Sequence, residues 1–132
     1  MKEGSMEPPF TFDRVDHIVL RVHDLAKSIA FYRMLGAEVG REVNAGTVAQ
    51  ITPSQSIILQ GRPDYEPAAL GAVDHINLTI RANSIFEVGD YLRAHGVEFV
   101  TEPQEGRAGP TVNVKDPDGY VLEIRIARDS PL

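Results

Sequence analysis

Apolar positions along the chain recur with two different spacings, and the order in which those spacings appear is itself repeated. Residues 14–22 alternate, with Ile18, Leu20 and Val22 on one face and His17, Val19 and Arg21 on the other, which predicts a half-buried strand. Asp24 then stands as an N-cap before a helix running to about Leu35, with Ile29, Ala30 and Met34 as its buried stripe and Gly36 as its C′ residue. Three short strands are predicted at 37–43, 47–52 and 56–60, separated by Asn44-Ala45-Gly46 and Pro53-Ser54. Residues 62–72 break the pattern and read as a linker, and the order restarts. Residues 74–80 form a strand with Ile76, Leu78 and Ile80 inward and His75, Asn77 and Thr79 outward. Ser84 and Glu87 have capping-box spacing for a second helix ending at Gly96. Strands follow at 97–101, 111–115 and 120–127, the last two joined by Asp116-Pro117-Asp118-Gly119, a strong turn sequence.

Each half is therefore strand–helix–strand–strand–strand. Val15-Asp16-His17-Ile18 opens the first half and Val73-Asp74-His75-Ile76 the second, and such repetition dictates architecture. A chain of 132 residues suits one compact domain, so the copies are halves of one core: modules 14–61 and 73–127, preceded by an arm at 1–13. The predicted class is α+β. Aligning the halves by their hydrophobic strings equates Ile57-Ile58-Leu59-Gln60 with Tyr120-Val121-Leu122-Glu123.

Composition narrows the function. Hydrophobic residues make up 42% and charged residues 24%, as in ordinary globular proteins. The net charge of −6 and scattered basic residues argue against a nucleic-acid partner. The absence of cysteine excludes disulfides, thiolate nucleophiles and zinc–cysteine sites. No segment approaches a membrane span, and Met1–Pro9 lacks the apolar stretch of a signal peptide, so a cytoplasmic protein is expected.

The candidate chemistry follows from the repeat. The alignment pairs His17 with His75 and Gln60 with Glu123, each opposite the apolar face of its strand. Two imidazole nitrogens and two side-chain oxygens near a pseudo-twofold axis suit one divalent ion such as Mn, Fe, Co, Ni or Zn. Arg21, Gln50, Asn77, Asn113 and Arg125 are candidates to line the same cup and bind substrate. His23 and His95 are expected at the surface, Phe31-Tyr32 in the core, and Glu102–Pro110 as a flexible hairpin connection rather than a lid.

The chain resembles the vicinal oxygen chelate superfamily, which includes glyoxalase I, fosfomycin-resistance proteins, extradiol dioxygenases, methylmalonyl-CoA epimerase and bleomycin-resistance proteins. The resemblance is carried by Asp16-His17-Ile18-x-Leu20-x-Val22, Ser28-Ile29-Ala30-Phe31-Tyr32 leading to Leu35-Gly36, Asp74-His75-Ile76 and Asp116-Pro117-Asp118-Gly119-Tyr120-Val121-Leu122-Glu123-Ile124. It implies paired βαβββ modules forming a cup-shaped sheet around a metal held by His17, Gln60, His75 and Glu123. It also implies Lewis-acid chemistry on vicinal substrate oxygens and a glyoxalase-I-like lyase in which Glu123 shuttles a proton. Residues Thr47–Thr52 contain no carboxylate base, which counts against an epimerase. Alternatives are an extradiol-type dioxygenase, a fosfomycin-resistance-like enzyme, and a non-catalytic bleomycin-type binding protein. A homodimer is implied too; in its swapped form His17 and Gln60 of one copy meet His75 and Glu123 of the other, and the sequence does not distinguish swapped from unswapped pairing.

Overall fold

The computed structural model describes residues 7–65, 73–106 and 109–127. Its elements are β1 (His17–Val22), α1 (Leu25–Met34), β2 (Glu38–Val43), β3 (Gly46–Thr52), β4 (Gln55–Gly61), β5 (Ile76–Ile80), α2 (Ile85–Ala94), β6 (Glu98–Gly106), β7 (Gly109–Lys115) and β8 (Val121–Ile126). They form two four-stranded sheets of identical topology, β1-β4-β3-β2 and β5-β8-β7-β6. In each, the first and last strands of the module pair in parallel and the other contacts are antiparallel. The α+β class and the tandem βαβββ modules expected from the sequence are the architecture observed.

The helices start and stop where the sequence directs. The Asp24 carboxylate accepts from the Lys27 amide at 3.1 Å, and the Ser84 hydroxyl accepts from the Phe86 amide at 3.1 Å. Gly36 and Gly96 follow the C-caps with φ of +104° and +73°, which L side chains adopt only with strain.

Alternate residues of the central strands fill the core. Leu20 and Val22, Ile57 and Leu59, Leu122 and Ile124, and Val112 and Val114 are buried in one cluster with Tyr32, Ile85 and Leu92 from the helices. Because this cluster takes the apolar faces of both sheets, the polar faces carrying the histidines are turned away from it. The modules are also tied by hydrogen bonds around the Asp116–Gly119 turn. Tyr32 Oη donates to Asp116 Oδ2 at 2.8 Å, and the His23 amide donates to Asp118 Oδ1 at 2.8 Å. Asp116 Oδ1 accepts from the Asp118 and Tyr120 amides, both at 2.9 Å. These donors satisfy a carboxylate that is otherwise out of water. Burial nevertheless dominates and raises the Asp116 pKa above the usual carboxylate value.

One expectation fails here. The segment Glu102–Pro110, read as a flexible hairpin connection, instead supplies the end of β6 and the start of β7, which pair as far as Gly106 and Gly109. Pro103 hid the strand from pattern reading. It is tolerated because β6 is a sheet edge and its register is irregular between Thr101 and Gln104. Residues 66–72 of the linker and 1–6 of the arm lie outside the described residues; residues 7–16 carry no helix or strand.

Candidate metal and substrate site

Strand register fixes which residues of the two modules are equivalent. Val19, two positions beyond His17, lies opposite Ile58, whereas Asn77, two positions beyond His75, lies opposite Glu123. Ile58 thus holds in module one the place that Glu123 holds in module two. Gln60 lies opposite Arg21, and its counterpart is Arg125, opposite Thr79. This corrects the pairing of Gln60 with Glu123. A slip of two residues leaves every side chain on its original face, so the alternation of apolar residues cannot detect it.

The surroundings of Gln60 agree. Its amide nitrogen donates to the Ala45 carbonyl at 3.1 Å and its oxygen accepts from Arg62 Nε at 3.2 Å. It lines a cavity of about 610 Å³ with Val19, Arg21, Ala45, Tyr65 and Tyr120, a set without a histidine or carboxylate. The phenols of Tyr65 and Tyr120 are 3.2 Å apart there, and Tyr120 also donates to the Arg21 carbonyl at 3.0 Å. Burial, then the Tyr65 hydrogen bond, pushes the Tyr120 phenol well above its ordinary range.

The two histidines are held alike. His17 Nδ1 is 2.9 Å from Asp16 Oδ2, and His75 Nδ1 is 2.8 Å from Asp74 Oδ2. A carboxylate on Nδ1 fixes the tautomer and leaves Nε2 as the free donor atom, the arrangement common behind metal-ligating imidazoles. Asp16 has its pKa lowered, first by the His17 hydrogen bond and then by Arg14. Asp16 and Asp74 were not singled out from the sequence, although the signal was present: each is the second residue of the repeated tetrapeptide.

His75 Nε2 lies 3.9 Å from Glu123 Oε1, and Asn77 Nδ2 donates to the same oxygen at 2.7 Å. Thr79 in turn donates to Asn77 Oδ1 at 2.9 Å. The structure therefore brings together His75, Asn77 and Glu123. His17 and His75 both border one apolar cleft of about 540 Å³. Yet among the described residues no three histidine or acidic side chains of a single chain converge as a metal site.

The remaining candidates divide. Gln50 donates to the carbonyls of Thr52 (2.7 Å) and Gln55 (3.3 Å), so it braces the β3–β4 turn rather than facing a substrate. Asn113 lies opposite Glu123 and its Oδ1 is buried without a hydrogen-bond donor among the described residues. Arg125 is only 9% exposed. His23 and His95 are exposed, as expected; His95 Nδ1 is 2.8 Å from the Tyr91 carbonyl.

Comparison with known proteins gives a consistent picture. A family model described as Glyoxalase/Bleomycin resistance protein/Dioxygenase superfamily matches residues 14–124. A glyoxalase domain-containing protein of Mycosarcoma maydis is 34% identical over 125 residues, spanning 88% of this chain and 69% of that protein. A probable lactoylglutathione lyase of Vibrio cholerae is 34% identical over 127 residues, spanning 84% of this chain and 88% of that protein. Among solved structures, a glyoxalase/dioxygenase from Nostoc punctiforme superposes with a TM-score of 0.77 at 25% identity, covering 95% of this chain and 98% of that one. The Listeria monocytogenes fosfomycin resistance protein FosX superposes with a TM-score of 0.71 at 20% identity, covering 90% and 97%, and shares the fold. With the repeated modules, the strand order and the family match in agreement, the chain belongs to the Glyoxalase/Bleomycin resistance protein/Dioxygenase superfamily.

Proposed function

We propose that this protein is a divalent-metal-dependent enzyme acting on a small substrate with vicinal oxygens, with His17, His75 and Glu123 as ligands and each site shared between two copies. The observation that carries the reading is the pair of Asp–His contacts, Asp16–His17 and Asp74–His75. They aim two imidazole Nε2 atoms by the same device, one of them beside the Glu123 carboxylate. The donor set of two imidazoles and one carboxylate fits a borderline divalent ion of the Mn, Fe, Co, Ni or Zn group. The polar faces of the two modules are turned away from a common core, so a second copy supplies the partner face. A patch including Val15 and Val73, both more than half exposed, and Ile18 at 40% flanks the histidines and gives that copy an apolar seat.

When bound, such an ion supplies Lewis-acid stabilisation of negative charge developing on substrate oxygens. The chain's own residues do the rest. Asn77 orients Glu123 through a 2.7 Å hydrogen bond and is itself oriented by Thr79. In this reading Glu123 is also the carboxylate that accepts a substrate proton. On the corresponding face of module one stand Val19, which is exposed, and the buried Val48 and Ile58, so the centre of that face is apolar. Similarity to the Vibrio cholerae lyase supports a glyoxalase-like lyase or isomerase. Ile58 favours a second reading. With an aliphatic side chain where a second carboxylate would permit proton relay, the three-ligand set is that of an oxygen-activating iron enzyme of extradiol type.

The deciding experiment reconstitutes metal-free protein with Fe(II), Mn(II), Ni(II) or Zn(II). It follows thiohemiacetal isomerisation in one arm and oxygen uptake with a catechol in the other. Turnover in either arm that disappears in His75→Ala supports a metal-dependent enzyme and selects between lyase and dioxygenase. Equal metal content in wild type and His75→Ala overturns the site.

A further inference from the structure

Arg125 is an anomaly on an otherwise well-partnered sheet face. An arginine with its stem buried normally sets its guanidinium against a carboxylate or several acceptors. Arg125 is 9% exposed, its guanidinium nitrogens stay open to solvent, and among the described residues no hydrogen bond or ion pair reaches it. The chain carries 19 acidic residues, so the lack of a partner is not a shortage of carboxylates. Glu123, on the same strand and face, is instead engaged by Asn77 and faces His75. The second anomaly is adjacent. Asn113, on β7 opposite Glu123 and so diagonal to Arg125, has a buried Oδ1 with no donor. Thr111 and Thr79, directly opposite Arg125 on either side, are neutral. A cation without an anion and an acceptor without a donor thus lie together, one pleat from the proposed metal ligand.

We propose that Arg125 and Asn113 form the subsite for an anionic substituent of the substrate, which makes the substrate class a carboxylate-bearing oxygen chelator. The inference rests on the reading of Glu123 as a metal ligand. Residues two apart on a strand are about 7 Å apart on one face. A substrate that meets both side chains therefore carries its carboxylate on the far side of a small ring or short chain from its chelating oxygens. Asn113 Oδ1 accepts from a substrate hydroxyl or a water carried with it. Arg125 suits the carboxylate because its planar fork binds both oxygens at once. The module-one counterpart, Gln60, is uncharged and already engaged, so the cup has one such anion site per set of ligands.

The test uses metal-free protein and two probes differing by one group, 3,4-dihydroxybenzoate and catechol, measured by equilibrium dialysis. Wild type is expected to bind the carboxylate at least about tenfold more tightly than catechol, the scale of a charge-assisted hydrogen-bonded pair. Arg125→Met should abolish that preference while leaving Tm close to wild type, because it keeps an apolar stem and breaks no hydrogen bond among the described residues. Arg125→Lys should keep part of the preference. Equal affinity for the two probes in wild type overturns the proposal. So does a preference that survives in Arg125→Met, or a Tm that falls in both variants with the preference intact in Arg125→Lys at the wild-type level. A carboxylate preference in a protein that fails to bind metal would leave the subsite standing and remove the metal reading.

Discussion

Strand register and hydrophobic alignment place the module-one counterpart of Glu123 two residues apart, and a pair of glutamate substitutions distinguishes them. Ile58→Glu puts a carboxylate where register puts the equivalent of Glu123; Gln60→Glu puts one where the alignment does. Ile58 is 6% exposed and lies opposite Val19 and Val48. Replacing it forfeits about 2–3 kcal/mol of apolar burial. Placing an ionisable group there costs about 1–3 kcal/mol more. The metal-free variant should therefore be destabilised by about 3–6 kcal/mol, a large share of the ~5–15 kcal/mol typical of a domain. In Tm this is a fall of roughly 10 °C or more, since 1 kcal/mol shifts a domain of this size by about 3–6 °C. Adding Mn(II) or Ni(II) should return much of that loss, because a fourth ligand, the second carrying negative charge, would face the proposed ion. Gln60 is partly exposed and tied to Ala45 and Arg62, so Gln60→Glu should move the metal-free Tm by less than about 3 °C and leave the metal-induced shift as in wild type. Scanning calorimetry with and without metal reads all four values. A larger metal-induced shift in Gln60→Glu than in Ile58→Glu would refute the register argument.

Three other outcomes follow from the structure. Gly89→Ala should destabilise the fold by about 1–3 kcal/mol in urea titration, because the added Cβ would sit 2.2 Å from Pro103 Cγ and overpacking outweighs the ~1 kcal/mol gain in helix propensity. Asp116 has a pKa raised in the folded state, so its contribution to stability is complete below the unfolded carboxylate value and declines as pH rises through the raised one. Asp116→Asn should therefore cost more stability at pH 4 than at pH 7, and an equal or reversed difference in denaturation would show that burial is not the dominant influence. Asp74→Asn, which retains a side chain near His75 Nδ1 but loses the charge, should weaken metal binding by about 10- to 100-fold in a chelator competition assay.

Most of the fold was legible because its signals are local. Asp24 and Ser84 cap helices wherever such residues precede an amphipathic run, and alternation at Ile18-Leu20-Val22 or Leu122-Ile124 states which face is buried. The site was only half legible. The repeated Val-Asp-His-Ile identified His17 and His75 as equivalents, and pleat phase put Glu123 on the polar face. Register between β1 and β4 is a non-local property, set by the β3–β4 turn and by how far the linking helix returns the chain. Gln60 and Ile58 differ from their expected roles for that reason alone. Pairing was equally invisible for Gln50, whose amide is used up by the Thr52 and Gln55 carbonyls, and for Arg125, whose burial depends on neighbouring strands.

The same geometry decides whether one chain can hold a complete site. The apolar faces of both sheets enter one core, and no three histidine or acidic side chains converge among the described residues. A twofold dimer in which module one of each copy faces module two of the other would build two sites, each with His17 from one chain and His75 and Glu123 from its partner. Mixing two defective proteins then has a definite outcome. His17→Ala and His75→Ala each break both sites of their own homodimer. In the mixed dimer, one site combines the two lesions and the other receives the intact His17 of one chain and the intact His75 of the other. Random reassortment makes about half of all dimers mixed, so the mixture should recover about a quarter of wild-type metal binding and activity. Sites built within single chains would recover nothing after unfolding and co-refolding, because every chain carries a lesion. Zero recovery in a refolded, dimeric mixture would refute the shared site and require His17 to reach Glu123 within its own chain.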